Sequence, residues 1–294
     1  MSFAVPFDLA IFLLGTFAAA FVTGLAGFAF GMVAAGIWLL ALTPMQTTTL
    51  IVAYALLVQG YSTWRLRRAI IPSRLLPFVI GSAIGIPAGI AILELASAVH
   101  LKTGVGILLI AFSLYNLLRP KMPDLKNVGR AGDAGIGFLN GVLGGATGLG
   151  GILPTLWCVL RGWPRDEHRA VSQPTAVATF ALTLMAFGGL GLVTPETTRL
   201  FLIGLPVLVA GTLLGWSLYG KLDEGAFRKV VLVLLLVSGL AIVVTGRRLP
   251  NLTHLGHLQF STPVTLGATA PAHGVFRLAD TANREVLSRF APAG

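Results

Sequence analysis

The chain has little charge, a single cysteine and no carboxylate inside its apolar runs. Charged residues make up 11% of its 294 residues and hydrophobic ones 55%, whereas soluble domains carry about a quarter charged. No Asp, Glu, Lys or Arg occurs between Asp8 and Arg65, and further charge-free runs cover 75–93, 103–118, 134–160, 170–195, 200–220 and 230–246. A helix needs roughly 20 apolar residues to cross a bilayer. These scarcities exclude a soluble domain and predict an all-α polytopic membrane protein. The alternating ten-residue strands of a membrane β-barrel are missing as well. Cys158, being alone, makes no internal disulfide. The opening MSFAVPFDLAIFLL lacks a basic stretch, so no cleavable signal peptide is expected. The net charge of +10 does not imply nucleic acid, because the basic residues fall in short loops between apolar runs, as membrane topology predicts.

What is abundant is glycine, set inside apolar runs and clustered twice, in GLAGFAFG (24–31) and GGATGLGG (144–151). The apolar segments read as 9–22, 27–42, 46–64, 75–93, 100–118, 134–146, 149–160, 170–192, 199–219 and 227–245. Four of them are short, and each short pair meets at a glycine cluster. The chain therefore reads as two repeats in the same order, 1–122 and 123–249, each a pair of short broken or re-entrant helices followed by three transmembrane helices. A shift of 120 residues sets Gly24 on Gly144 and Gly31 on Gly151. If each short pair goes in and comes back, the repeats are inverted. Fourteen basic residues then share one side, against Lys102, Arg199, Arg247 and Arg248 on the other. The positive-inside rule puts the fourteen in the cytoplasm. Residues 250–294 carry no apolar run and read as a peripheral or disordered tail. His254 and His257 lie there without a third ligand, so no metal is expected.

A broken helix inside hydrocarbon is costly unless protein or water surrounds the break. A helix that starts there presents free N–H groups and a partial positive charge, which suits an anion without a buried cation. Helix packing through small residues is the competing explanation for glycine. Five glycines within 144–151, followed by Pro154, break the second run too much for one smooth packing face. The next helix in each half opens with hydroxyl and amide groups, Thr47, Thr48 and Thr49 in one, Ser172, Gln173 and Thr175 in the other. Tyr54 and Gln59 are placed to line a pathway. Asp133 reads as a helix-dipole partner, and RDEHR (165–169) as a turn whose charges pair among themselves.

The stretch GGATGLGGILPTLWCVLRGWPRDEHRAVSQPTAVATF resembles the signature region of the TauE/SafE sulfite exporter family. The glycine run Gly148 to Gly151, Pro154, Gly162-Trp163-Pro164 and Ala170-Val171-Ser172 carry the likeness. The first half repeats it loosely as Gly24 to Gly31, Thr43-Pro44 and Thr47 to Thr49, without the triple glycine or a counterpart of Pro154. The resemblance implies a multi-pass protein of the cytoplasmic membrane, a bacterial inner membrane, that moves sulfite, an organosulfonate or a related sulfur-containing or carboxylate anion. The expected substrate-binding residues are Gly24, Gly27, Gly31, Thr48, Gly145, Thr147, Gly148, Gly150, Gly151, Pro154, Ser172, Gln173 and Thr175. No cofactor is expected. The partners are the small anion, the lipid bilayer and a coupling ion, proton or sodium. A membrane-embedded transferase and a passive anion channel are the alternatives.

Overall fold

The computed structural model describes residues 5–26, 29–65, 70–118, 129–163, 165–218 and 224–248. The tail 250–294, Gly27 and Pro164 lie outside them. Ten helices appear among these residues, and no strand: α1 Val5–Ala26, α2 Phe30–Trp38, α3 Pro44–Arg65, α4 Pro72–Leu95, α5 Ala98–Leu118, α6 Arg130–Thr147, α7 Ile152–Leu160, α8 Arg165–Gly189, α9 Pro195–Leu218 and α10 Glu224–Arg248. Five of them are long and apolar enough to cross a membrane, in α1, α4, α5, α8 and α9.

Expected boundaries fail in one instructive place. The reading of 9–22 and 134–146 as short does not hold, because α1 spans 22 residues and α6 spans 18. Only the returning helices α2 and α7 are short, at nine residues each. Thr23 and Gly24 look like a stop in sequence. Here Thr23 bonds back to the Ala19 carbonyl at 2.7 Å, so its hydroxyl is satisfied within the helix. Gly24 lies tight against α9, where a methyl group would come within 2.6 Å of the Thr212 carbonyl oxygen.

Glycines set the helix contacts and the directions. On α4, Gly81, Gly85 and Gly89 meet the carbonyls of Ala134, Phe138 and Val142 in rising order, and on α6 Gly137, Gly141 and Gly145 meet those of Phe78, Ser82 and Ile86. Those two helices run parallel with backbones in contact, which small residues at every fourth position permit. Phe12, Phe17 and Phe21 of α1 likewise meet Gly204, Gly211 and Gly215 of α9 in parallel order. By contrast α5 and α10 run antiparallel, with Gly106 beside Val243 and Gly239 beside Ile110. Were each short pair one interrupted crossing, α5 and α10 would point the same way. Instead α2 folds back along α1, bringing the Trp38 indole N–H to the Phe12 carbonyl at 3.1 Å. The α7 helix folds back along α6 in the same manner, bringing Trp157 and Arg161 to Asp133.

Exchange of the two five-helix runs maps the main contacts onto themselves: α1 on α9 becomes α6 on α4, while α5 with α10 and α3 with α8 stay paired. Polar side chains point inward, with Ser82, Asn140, Thr175 and Thr179 fully buried. Large apolar ones, such as Leu14, Ile84, Met185, Leu202 and Val237, are turned outward. Such a surface would be unfavourable in water and suits lipid, where packing and hydrogen bonds rather than apolar burial hold helices together.

Candidate functional site

Both hairpin tips lie where a helix stops short and restarts. In the second hairpin α6 ends on Gly148, at φ 73°, whose N–H donates to the Gly144 carbonyl at 2.9 Å. Three residues later the chain turns again at Gly151, φ 113°, and α7 begins. Side chains other than glycine rarely adopt this left-handed backbone. The first hairpin makes its turn at Ala29, φ 79°, the only non-glycine residue at positive φ among the described residues. Its Cβ costs roughly 1–2 kcal/mol in that conformation.

The tips meet each other. Gly31 lies against Leu149 and the Gly148 carbonyl, and Ile51 of α3 touches both Gly31 and Gly148. From α3, Thr48 sends its hydroxyl toward the Ala146 carbonyl at 3.4 Å. From α8, Thr179 faces Gly144 and Gly150, and Ala176 faces Gly151. The break itself is held by Asn140, fully buried on α6. Its Oδ1 accepts the Gly151 N–H at 2.7 Å, while its Nδ2 donates to Thr179 Oγ1 at 3.1 Å and Ser82 Oγ at 3.3 Å. A buried amide satisfied on three sides fixes one geometry and strengthens its own bonds in low dielectric.

Beside the tips is a hollow of about 10 Å³ lined by Thr47, Thr48 and Thr147 together with Pro44, Leu39 and Ala146. That is about the room one water molecule needs. Thr47 is buried and its Oγ1 has no hydrogen-bond partner. In the other half Gln173 Oε1 is also buried without a partner. Hydroxyls of Ser113, Thr183 and Thr212 share that state elsewhere in the helices, so an orphan atom alone marks nothing. Thr47 differs in facing the hollow.

The expected binding residues separate into groups. Gly31, Thr48, Thr147 and Gly148 come together at the tips and the hollow, with Gly150 and Gly151 adjoining against α8. Pro154 is buried in the first turn of α7. On α8, Ser172 is buried, Gln173 carries the orphan oxygen, and Thr175 spends its hydroxyl on the Val171 carbonyl at 2.7 Å. Gly24 and Gly145 do not join them: both sit in helix–helix contacts, on α9 and α4, with no space for a solute. Gly27 lies outside the described residues. Tyr54 lines no polar pathway; it is fully buried among Phe30, Trp38 and Phe201 and donates to the Phe201 carbonyl at 2.7 Å. Asn140 and Thr179 escaped the sequence reading. The signal was a lone amide side chain in the charge-free run ahead of the glycines.

At the opposite end of the second hairpin charges gather. Asp133, buried in the first turn of α6, takes Arg161 Nη1 at 2.7 Å and the Trp157 indole N–H at 2.8 Å on one oxygen, Oδ1. Arg161 and Arg74 each place their guanidinium 5.2 Å from the centre of the Trp163 ring. Arg74 is paired with Glu167. Asp133 is thus an ion-pair partner as well as a dipole partner. Glu167 reaches across to Arg74 of α4, along which α8 packs.

A family model described as sulfite exporter TauE/SafE matches residues 11–242. The chain belongs to the TauE/SafE family. It is accordingly a multi-pass cell-membrane protein of a family that transports sulfur-containing anions, and the match takes in both hairpins and all ten helices in whole or in part. No curated protein and no solved structure matches it significantly. For this TauE/SafE protein the tips are the place where backbone ends, hydroxyls and a hollow coincide without a charged side chain.

Proposed function

We propose that the chain is a secondary carrier that moves a small sulfur oxyanion, sulfite or an organosulfonate, across the cytoplasmic membrane by alternating access. Its halves, 1–122 and 123–249, act as inverted repeats rocking about the tips, a design in which broken helices form the midplane site. The observation that carries this is the meeting of two interrupted helices at Gly31 and Gly148 beside the threonine hollow. The first N–H groups of α7, at Ile152 and Leu153, have no preceding turn to bind them and would face an anion admitted between the tips. Thr47 adds a neutral donor without a partner, and Thr48 and Thr147, whose hydroxyls rest on the Ala146 and Leu143 carbonyls, line the same hollow. A hollow of one-water size does not hold a four-atom oxyanion, so binding requires the tips to part. The coupling ion is a proton or sodium.

The test uses the purified protein in proteoliposomes with labelled sulfite. Thr47→Val removes one hydroxyl at nearly constant shape. It is expected to weaken sulfite binding about tenfold, the worth of one hydrogen bond to a charged group, with insertion unchanged. Uptake against the sulfite gradient, driven in turn by imposed proton and sodium gradients, separates a carrier from a channel, which runs only downhill. Cys158→Ala should keep its flux. Loss there would favour a transferase using the lone thiol, and sulfite flux equal to that of empty vesicles would sink the carrier reading.

A further inference from the structure

We propose that Arg161 is an anion-docking residue at the mouth of the second hairpin, held by Asp133 until a solute oxyanion takes over its guanidinium. The inference rests on the carrier reading above and adds a second stop on the anion's route, away from the tips. Arg161 caps the C-terminal end of α7, and its side chain is 15% exposed. Its position is set by the Trp163 ring on one face and Asp133 at one end. The pairing with Asp133 is single-pronged. One carboxylate oxygen serves Arg161 Nη1 and the Trp157 indole together, and Arg161 Nε, although buried, has no hydrogen-bond partner. A guanidinium offers five N–H donors in a fixed fork and is best matched by two parallel bonds to one acceptor group. Here that match is incomplete, and among the unmatched donors Nε is removed from solvent. A buried donor without a partner calls for an explanation such as a bound ion or water.

The surroundings say what kind of ligand fits. Among the described residues two cations sit by the Trp163 indole, Arg74 and Arg161, each with one carboxylate, Glu167 and Asp133. The charges of these four groups cancel. An incoming anion must therefore compete with a carboxylate, and the weaker hold is the one-oxygen pair on Arg161. Several oxygens on one small centre satisfy Nε and an Nη together, which Asp133 does not do here. Arg169 lies farther along α8 and is exposed, adding positive field that favours an anion over a cation at this mouth. A sulfite or sulfonate ion and the phosphate of an anionic lipid share this chemistry. The proposal is for the solute.

The full chain is reconstituted in vesicles of zwitterionic lipid, and in a second set containing anionic phospholipid. Sulfite flux is measured from each face. Arg161→Gln is expected to raise the half-saturating sulfite concentration about tenfold from the face bearing the basic loops, with little change from the other. Asp133→Asn, which removes the competitor, is expected to lower it severalfold from that same face. The swapped pair Asp133→Arg with Arg161→Asp restores an ion pair but not the docking cation, and stays impaired. Equal impairment in both single variants with recovery in the swap would mean a purely structural pair and overturn the proposal. So would half-saturation unchanged in every variant, or an Arg161 effect seen only with anionic lipid. Arg161→Lys, which keeps the charge, guards against simple misfolding: it should fold as wild type, by thermal unfolding in detergent, yet lose part of the affinity. A wild-type protein that moves no sulfite would count against the carrier reading instead.

Discussion

The two hairpins share a design and differ in chemistry. The first turns at Ala29 and is closed by the Trp38 indole on the Phe12 carbonyl, within a cluster of Phe12, Phe30, Trp38, Tyr54 and Phe201. The second turns at Gly148 and Gly151, is stitched by Asn140, and is closed by the Trp157 indole on Asp133 with Arg161 alongside. A tryptophan on the returning helix reaches the outgoing helix in both. One latch is aromatic and dry, the other ionic, with its arginine side chain 15% exposed. Ring packing has no competitor in solution, whereas a carboxylate on a guanidinium does. The first hairpin is suited to anchoring and the second to exchanging partners with an anion.

The largest expected effect comes from removing the stitch that the first hairpin lacks. Asn140→Leu strands the Gly151 N–H and withdraws a partner from Thr179 and Ser82. At about 1–3 kcal/mol per stranded buried group, the apparent Tm in detergent should fall by several degrees and sulfite flux should collapse. Unchanged Tm and flux would mean that the break holds itself. Next comes a paired comparison of the latches. Trp157→Phe and Trp38→Phe each delete one indole hydrogen bond, worth about 1 kcal/mol. The Trp38 change should cost more stability, because the ring is fully buried among other rings. The Trp157 change should alter the salt dependence of flux more, since it loosens Asp133 from Arg161. Equal responses in both readouts would erase the distinction. The turns supply a pair of opposite sign. Ala29→Gly relieves positive φ and should raise stability by about 1 kcal/mol. Gly151→Ala imposes the same strain and sets a methyl group 2.8 Å from Ala176 Cβ, so it should lower stability by about 1–3 kcal/mol.

Much of this was legible in the chain. Charge-free runs separated the helices, and GGATGLGG located the second break within a residue or two, because glycine at positive φ leaves few alternatives. The first break was harder to place. Its turn residue is an alanine, which carries no turn signal, and Thr23-Gly24 before it mimicked a stop. Repeat alignment suffered in the same way. A shift of 120 pairs Gly24 with Gly144, whereas the contacts make Gly24, on Gly215, the counterpart of Gly145, on Gly89. One residue is the difference between facing a neighbouring helix and facing the tip, since successive residues point 100° apart around a helix. That is why two expected binding glycines, Gly24 and Gly145, became packing glycines.

Scarcity of charge settled the solvent, and glycine clusters settled that helices would be interrupted, since both follow from local costs: ionised groups in hydrocarbon and Cβ atoms in left-handed backbone. Which glycines meet a helix and which meet a hollow, and that Asn140 rather than a solute holds the Gly151 amide, depend on contacts between segments far apart along the chain. Those contacts are chosen by the fit of whole helix faces, and no single stretch of residues carries that information.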